Sequence, residues 1–255
     1  MTFLALQEEL GRRLVELKGA EGMWDPTERQ LALNLSQLDM ARELRLIRAV
    51  AVRDALANTQ DYSITAAVGS GGFGLSNFLG ILGEDELPGL IYDDGTQETV
   101  LRFRTVEWLY ATHPNWRRDA SGVPEVFFPS EGGEVFNDKI GVYPKPASTV
   151  TNGFRLHHLV RPADMTADGH QPFNVTAGTT VQFPSLGPYH DALVWRALWR
   201  LLQDDSPQLA DRAWQYYLFV IRKAKGHAFL GVHTDDRQVQ AVSAYGRRSG
   251  RRGAW

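Results

Sequence analysis

The chain has 255 residues, 43% of them apolar and 22% charged, with a net charge of −3. That length can bury one large core or two small ones, and that charge argues against a generic nucleic-acid binder. Cysteine is absent, which excludes disulfides, thiol catalysis and cysteine-based metal sites.

At the N-terminus, Leu6, Leu10, Leu14 and Leu17 recur at helical spacing, and Gly19 and Gly22 end the pattern. Glu8, Glu9, Arg12 and Arg13 interrupt this stretch, where a secretory signal would need an unbroken apolar run. No segment approaches the roughly 18 apolar residues of a membrane span, so a soluble protein is expected. Asp25-Pro26-Thr27-Glu28 follows. Asp caps free N–H groups, Pro is preorganised at the first helical position, and Glu three residues on completes a capping box. The second helix is expected to run to about Asn58. Leu31, Leu35, Leu38, Leu44, Ile47 and Ala51 mark one face, and Leu33, Met40, Leu46 and Val50 widen the apolar surface beyond one stripe. So broad an arc must be covered on more than one side, by the chain's own core or by a second subunit.

Residues 60–184 hold most of the glycine and proline. Ile140–Val142, Phe154–His158 and Val181–Phe183 alternate as half-buried strands do, and Pro144, Pro146, Pro162, Pro172 and Pro184 mark strand ends or edges. Thr105–Ala111 reads as a short helix. Helical periodicity returns after Gly187-Pro188 with Leu193, Val194, Ala197, Leu198, Leu201 and Leu202, and Trp195 and Trp199 sit on an adjoining face. Asp204-Asp205-Ser206-Pro207 breaks that helix and starts another along Leu209, Ala213, Tyr216 and Val220. The expected fold class is α+β. The N- and C-terminal helices (1–59 and 185–225) form an antiparallel bundle, 60–184 is a β-rich insertion, and 226–255 is an extended basic C-terminal tail.

Gly69-Ser-Gly71-Gly-Phe-Gly74 matches G-x-G-x-x-G, a pattern in which backbone amides approach phosphates. The kinase reading lacks V-A-I-K, H-R-D and D-F-G. The Rossmann reading lacks alternating βαβ units beyond the loop. A hairpin tip or surface loop is therefore expected, and a nucleotide-binding enzyme is kept only as the last alternative. The seven histidines show no metal spacing, and His157 and His158 would point to opposite faces of a strand. Ser nucleophile motifs are absent. The pairs Asp93-Asp94, Asp204-Asp205 and Asp235-Asp236 fall at turns or in the tail, where local hydrogen bonding is their usual role. No catalytic residue, cofactor or metal is expected. Charge is uneven: from Arg222 to Trp255 eight Lys/Arg face two Asp, a net of +6, which leaves the remainder at −9. Arg247, Arg248, Arg251 and Arg252 suit phosphate or an acidic groove, and Trp255 is a natural anchor.

Several segments, in order, resemble the head-to-tail adaptor (connector) proteins of tailed bacteriophages. They are Trp24 with LNLSQLDMARELRL at 33–46, EWLYATHPNWRRDASGVPEVFF at 107–128 with Trp116, Gly122 and Pro124, IGVYPKPA at 140–147, RPADMTADGHQPF at 161–173, and YHDALVWRALWRLLQDD at 189–205. Residues 69–74 and the tail after 226 carry none of this likeness. The resemblance implies a structural virion protein without catalysis. Such proteins form a ring, usually dodecameric, beneath the portal, and dock the tail or a stopper ring. DNA passes through the hole without sequence-specific binding, in the neck of the virion after assembly in the host cytoplasm. Another neck or tail-completion ring protein is the alternative. Leu33, Met40, Leu46, Val50, Trp195 and Trp199 are then candidates for the oligomer interface, and Arg247, Arg248, Arg251, Arg252 and Trp255 for partner binding. An acidic body would repel DNA within the reach of screening, about 8 Å.

Overall fold

The computed structural model describes residues 1–18, 24–67, 72–82, 88–130 and 138–224. The described residues are mixed α+β, with five α-helices and a curled eight-stranded sheet. They group into two compact units, Met1–Gln37 with Asp164–Trp255, and Leu38–Ala163.

In the helical unit, α1 (Phe3–Lys18) buries Phe3, Leu6, Leu10 and Leu14, the face its leucine spacing predicts. It packs on α4 (His190–Leu202). There the Arg13 guanidinium donates to Asp191 Oδ1 at 2.5 Å and stands 4.2 Å from the Trp195 ring centre. α4 buries Leu193, Val194, Ala197, Leu198 and Leu202 as expected. His190 is also buried, and desolvation pushes its pKa down to about 4.

A further helix, α5 (207–224), starts at Pro207, with the Leu209 and Ala210 N–H groups bonded to the Ser206 carbonyl. Its buried face is Ala210, Ala213, Tyr217, Ile221 and Ala224; of the expected stripe Leu209, Ala213, Tyr216 and Val220, Ala213 is buried, Leu209 and Val220 are half-buried and Tyr216 is exposed. Tyr217 takes the inward position and stacks on Trp214 at 4.9 Å. The buried Arg196 side chain lies within 4.7 Å of the Trp199 and Trp214 ring centres, so the two helices share a cation–aromatic cluster.

α2 (Pro26–Glu43) begins on a complete capping box: Asp25 Oδ1 accepts from the Thr27 and Glu28 N–H groups, and Glu28 Oε2 accepts from Asp25 N–H. Its inner face is partly polar. Ser36 and Gln37 are fully buried alongside Leu33 and Met40, while Leu31 and Leu35 are exposed. The amides have a purpose: Gln30 and Asn34 donate to the Met165 carbonyl, Asn34 Oδ1 accepts from Met165 N–H, and Gln37 Oε1 accepts from Phe173 N–H. They satisfy a segment with no ladder of its own. The strand expected at Val181–Phe183 does not form, because Asn174 takes its place, donating to the Thr180 carbonyl and accepting from Gln182 N–H.

The expected continuation of α2 to Asn58 is also corrected. Arg45 adopts φ +52°, and Leu46 N–H returns to the Ala41 carbonyl at 3.2 Å, which closes the helix as glycine usually does. Residues 48–55 then form a strand. Arg45→Gly is expected to raise the melting temperature by about 1–4 °C by relieving a left-handed non-glycine residue. Calorimetry giving an unchanged or lower value would show that the turn carries no strain.

The β unit comprises β1 (Arg48–Ala55), β2 (Asp61–Ser63), β3 (Phe78–Ile81), β4 (Leu90–Asp93), β5 (Glu98–Phe103), α3 (Val106–Thr112), β6 (Val126–Pro129), β7 (Lys139–Tyr143) and β8 (Val150–Val160). The strand order is β1-β8-β4-β5-β6-β7-β2, with β3 also on β8. These strands pair antiparallel except β5–β6, which is parallel. That parallel pair needs a crossover, and α3 lies within it. Inward residues from both ends of this order share one core: Ala55, Tyr62, Tyr92, Leu101, Phe127, Val142 and Phe154. The sheet is therefore curled around its own side chains.

Candidate interaction surfaces

Two of the segments that carry the resemblance, 107–128 and 140–147, meet in the β unit. Thr105 caps α3 by accepting from Trp108 N–H at 3.3 Å, and α3 turns Val106 and Leu109 onto the outer face of β6. Trp116 is buried there, edge-on to Phe128 at 5.2 Å. Gly122 N–H donates to the Lys145 carbonyl, and Ala147 N–H donates to the Gly122 carbonyl, so the 116–124 turn is bound to the 144–147 segment that follows β7. Tyr143 donates its hydroxyl to Asp119 at 2.7 Å. Desolvation, and then that carboxylate, push its pKa up to about 12. This corner is a rigid packing device. Beside it lies a cleft of about 380 Å³ lined by Val100, Arg102, Arg104, Trp108 and Glu125, with the Arg104 guanidinium 5.3 Å from the Trp108 ring centre.

The glycine-rich segment is only partly described. Gly69 and Gly71 lie outside the described residues. Gly72 approaches Ala66 so closely that a Cβ would fall 2.0 Å from its carbonyl oxygen. Gly74 has φ +71° and donates to the same carbonyl at 2.9 Å. Phe73 between them is buried in the sheet core. These glycines are required for a tight chain return, a reason independent of any phosphate.

The interface candidates are scattered. Leu33 and Met40 are buried within the single chain, Leu46 is half-buried, and Val50 stands 53% exposed on β1. Trp195 and Trp199 are half-buried and stacked, Trp195 on Tyr216 at 4.6 Å and Trp199 near Trp214 at 5.1 Å. Exposed residues that sequence reasoning missed are Leu31 and Leu35 on α2 and Tyr216 and Phe219 on α5, with Phe219 66% exposed. The i, i+4 and i, i+3 spacings were visible signals, but which face each helix buries was set by distant partners. Arg247, Arg248, Arg251, Arg252 and Trp255 lie outside the described residues.

Among the described residues, no cluster of three or more His, Asp or Glu is placed to hold a metal ion. No described helix is long and apolar enough to cross a membrane. No curated protein matches the chain. A family model described as SU10 adaptor protein matches residues 1–241, which takes in every segment of the resemblance and extends past Gly226. Phage adaptors are structural proteins rather than a class of enzymes. The chain belongs to the SU10 adaptor protein family.

Proposed function

We propose that the chain forms a ring, of twelve copies as in the head-to-tail adaptors it resembles, between the portal and the tail or stopper of a virion. Packaged DNA passes through its hole without sequence-specific contacts and leaves by the same route at ejection. The match across residues 1–241 carries this reading, because an adaptor of this family implies portal and tail proteins as partners.

Two surfaces support the side-by-side contact. On α2, Leu31 and Leu35 stand one turn apart beside the exposed Glu28. On α5, Tyr216 and Phe219 stand together among the exposed Arg212, Arg222 and Lys223. The α2 pair has the acidic Glu28 at one end and the basic Arg42 two turns beyond the other, while the charges flanking the α5 pair are basic. Two different patches that complement each other make a head-to-tail contact, which closes into a ring when the rotation permits. The basic tail, with Arg247, Arg248, Arg251, Arg252 and Trp255, is proposed as a separate arm for an acidic surface of the portal or the tail.

The test is to mix the purified chain with the portal ring of the same virion and image the product by electron microscopy. A collar on one end of the portal is the expected result, even if the chain alone is monomeric. Portal rings that stay bare would overturn the reading.

A further inference from the structure

The parallel pair β5–β6 is short, and its end leaves a gap in the sheet. Asp94 N–H donates to the Gln97 carbonyl, which fixes the alternation of the β4–β5 hairpin. Tyr92 and Thr99 exchange backbone bonds, as do Leu90 and Leu101, while Val100 turns its N–H and C=O away from β4. Arg102 turns the same way and gives its N–H to the Glu125 carbonyl, and Arg104 N–H goes to the Phe127 carbonyl. One step back along this ladder, the Val100 carbonyl would need the Glu125 N–H. That group donates to the Tyr143 carbonyl on β7 instead, and Pro124 before it has no N–H. Val100 therefore keeps a donor and an acceptor on the β6 side with no backbone partner among the described residues. Its side chain is 57% exposed.

The gap opens into the cleft of about 380 Å³ lined by Val100, Arg102, Arg104, Trp108 and Glu125. That volume lies near the low end for ligand pockets and suits a few residues of extended chain rather than a helix. Its charges are uneven. Arg102 is exposed, and no carboxylate pairs with it among the described residues. Arg104 donates to the Phe103 carbonyl at 2.8 Å and lies against Trp108. On the same strand Glu98 is held by Arg155 at 2.6 Å, and in the lining Glu125 faces two guanidinium groups. Unmet main-chain groups, an exposed valine, a tryptophan wall and an excess of positive charge fit one kind of occupant. It is an extended strand with a carboxylate two residues from an apolar side chain, because positions i and i+2 share a face. The side-by-side contact is assigned to α2 and α5 in the other compact unit, which leaves this cleft to an axial partner.

We propose that an extended acidic segment of the portal protein adds to β5 at Val100, with its carboxylate on Arg102 and its apolar side chain against Val100 and Trp108. Backbone hydrogen bonds supply affinity in such strand addition, and the guanidinium–carboxylate pair supplies register. This rests on the portal contact of the ring reading, and the experiment separates the two.

The chain has no cysteine, so Val100→Cys gives a single site for a benzophenone maleimide. The labelled full-length chain is mixed with portal rings, irradiated and digested, and the linked peptides are identified by mass spectrometry. The expected product is one portal peptide containing Asp or Glu, absent when the label is carried by Val181→Cys, an exposed position in the other unit. Arg102→Glu is expected to weaken portal binding about tenfold or more, since a charged hydrogen bond is lost, with the melting temperature unchanged. Arg102→Lys restores part of the affinity, because lysine keeps the charge without the planar fork. Collars visible by microscopy with no linked portal peptide, or portal binding unmoved by Arg102→Glu, would overturn the site and leave the ring reading standing. Links to a second copy of the chain alone would overturn the portal as occupant. Portal rings left bare by the parent chain would overturn both.

Discussion

Replacing Phe154 with alanine is expected to cost about 3–5 kcal/mol, as for other buried aromatic truncations. The ring is fully buried in β8, the strand that holds β1, β3 and β4. It lies edge-on to Tyr62 at 5.0 Å and 5.4 Å from Tyr92. Collapse into the vacated space is hindered, because Tyr62 is fixed by its hydroxyl, which accepts from Leu56 N–H at 3.0 Å. A domain of ordinary stability has only about 5–15 kcal/mol to lose, so the variant should be close to unfolding at 37 °C. Urea unfolding checks the magnitude, and hydrogen exchange resolved by segment should show protection lost in residues 48–160. Phe154→Leu is expected to lose markedly less. A Phe154→Ala chain within 1 kcal/mol of the parent would mean that the sheet core does not depend on this side chain, contrary to the packing described.

The second large effect concerns assembly rather than folding. Phe219→Glu is expected to abolish ring formation on the portal and leave the melting temperature within about 2 °C, since exposed substitutions usually stay within about 0.5 kcal/mol. The side chain is the most exposed of the large apolar residues described. A glutamate there would place a carboxylate in an apolar contact and next to the exposed Glu28 side of the neighbour's α2. Interface aromatics of this kind are worth about 2 kcal/mol or more each, roughly 30-fold in affinity per contact, and the contact recurs around the ring. Leu31→Glu should reproduce the loss from the other side. Full assembly of both variants by electron microscopy or analytical ultracentrifugation would show that these helix faces are not the joint.

Local chemistry was legible from the sequence. The Asp25–Glu28 cap, the short helix near 105–111, the strands at 140–142 and 154–158 and the inner face of α4 follow from spacing and residue type, and each is present. What was not legible depends on distant partners. Arg45 ends α2 without glycine or proline to announce it, and the RAVAVRDA run that follows supports either period until β8 pairs with it. Ser36 and Gln37 look like surface residues, yet they are buried. Gln37 meets a backbone group on a loop far along the chain, and no local pattern encodes that. Exposure along α2 was hidden for the same reason. Leu31 and Leu33 are equally apolar, and only the position of the 165–173 segment decides which one faces inward.

The pairing of Arg48 with Leu159 and of Ala55 with Val150 sets an order of events during synthesis. β1 leaves the ribosome roughly 100 residues ahead of its partner, about 5–20 s at ordinary translation rates. Throughout that interval the nascent polypeptide presents valine-rich β1 with nothing to hold it, while the preceding helices are already available. Loop-closure entropy makes such late, long-range pairing slow. The protein should therefore lean on chaperones while it is made, and its yield should respond more to expression temperature than the melting temperature alone would suggest.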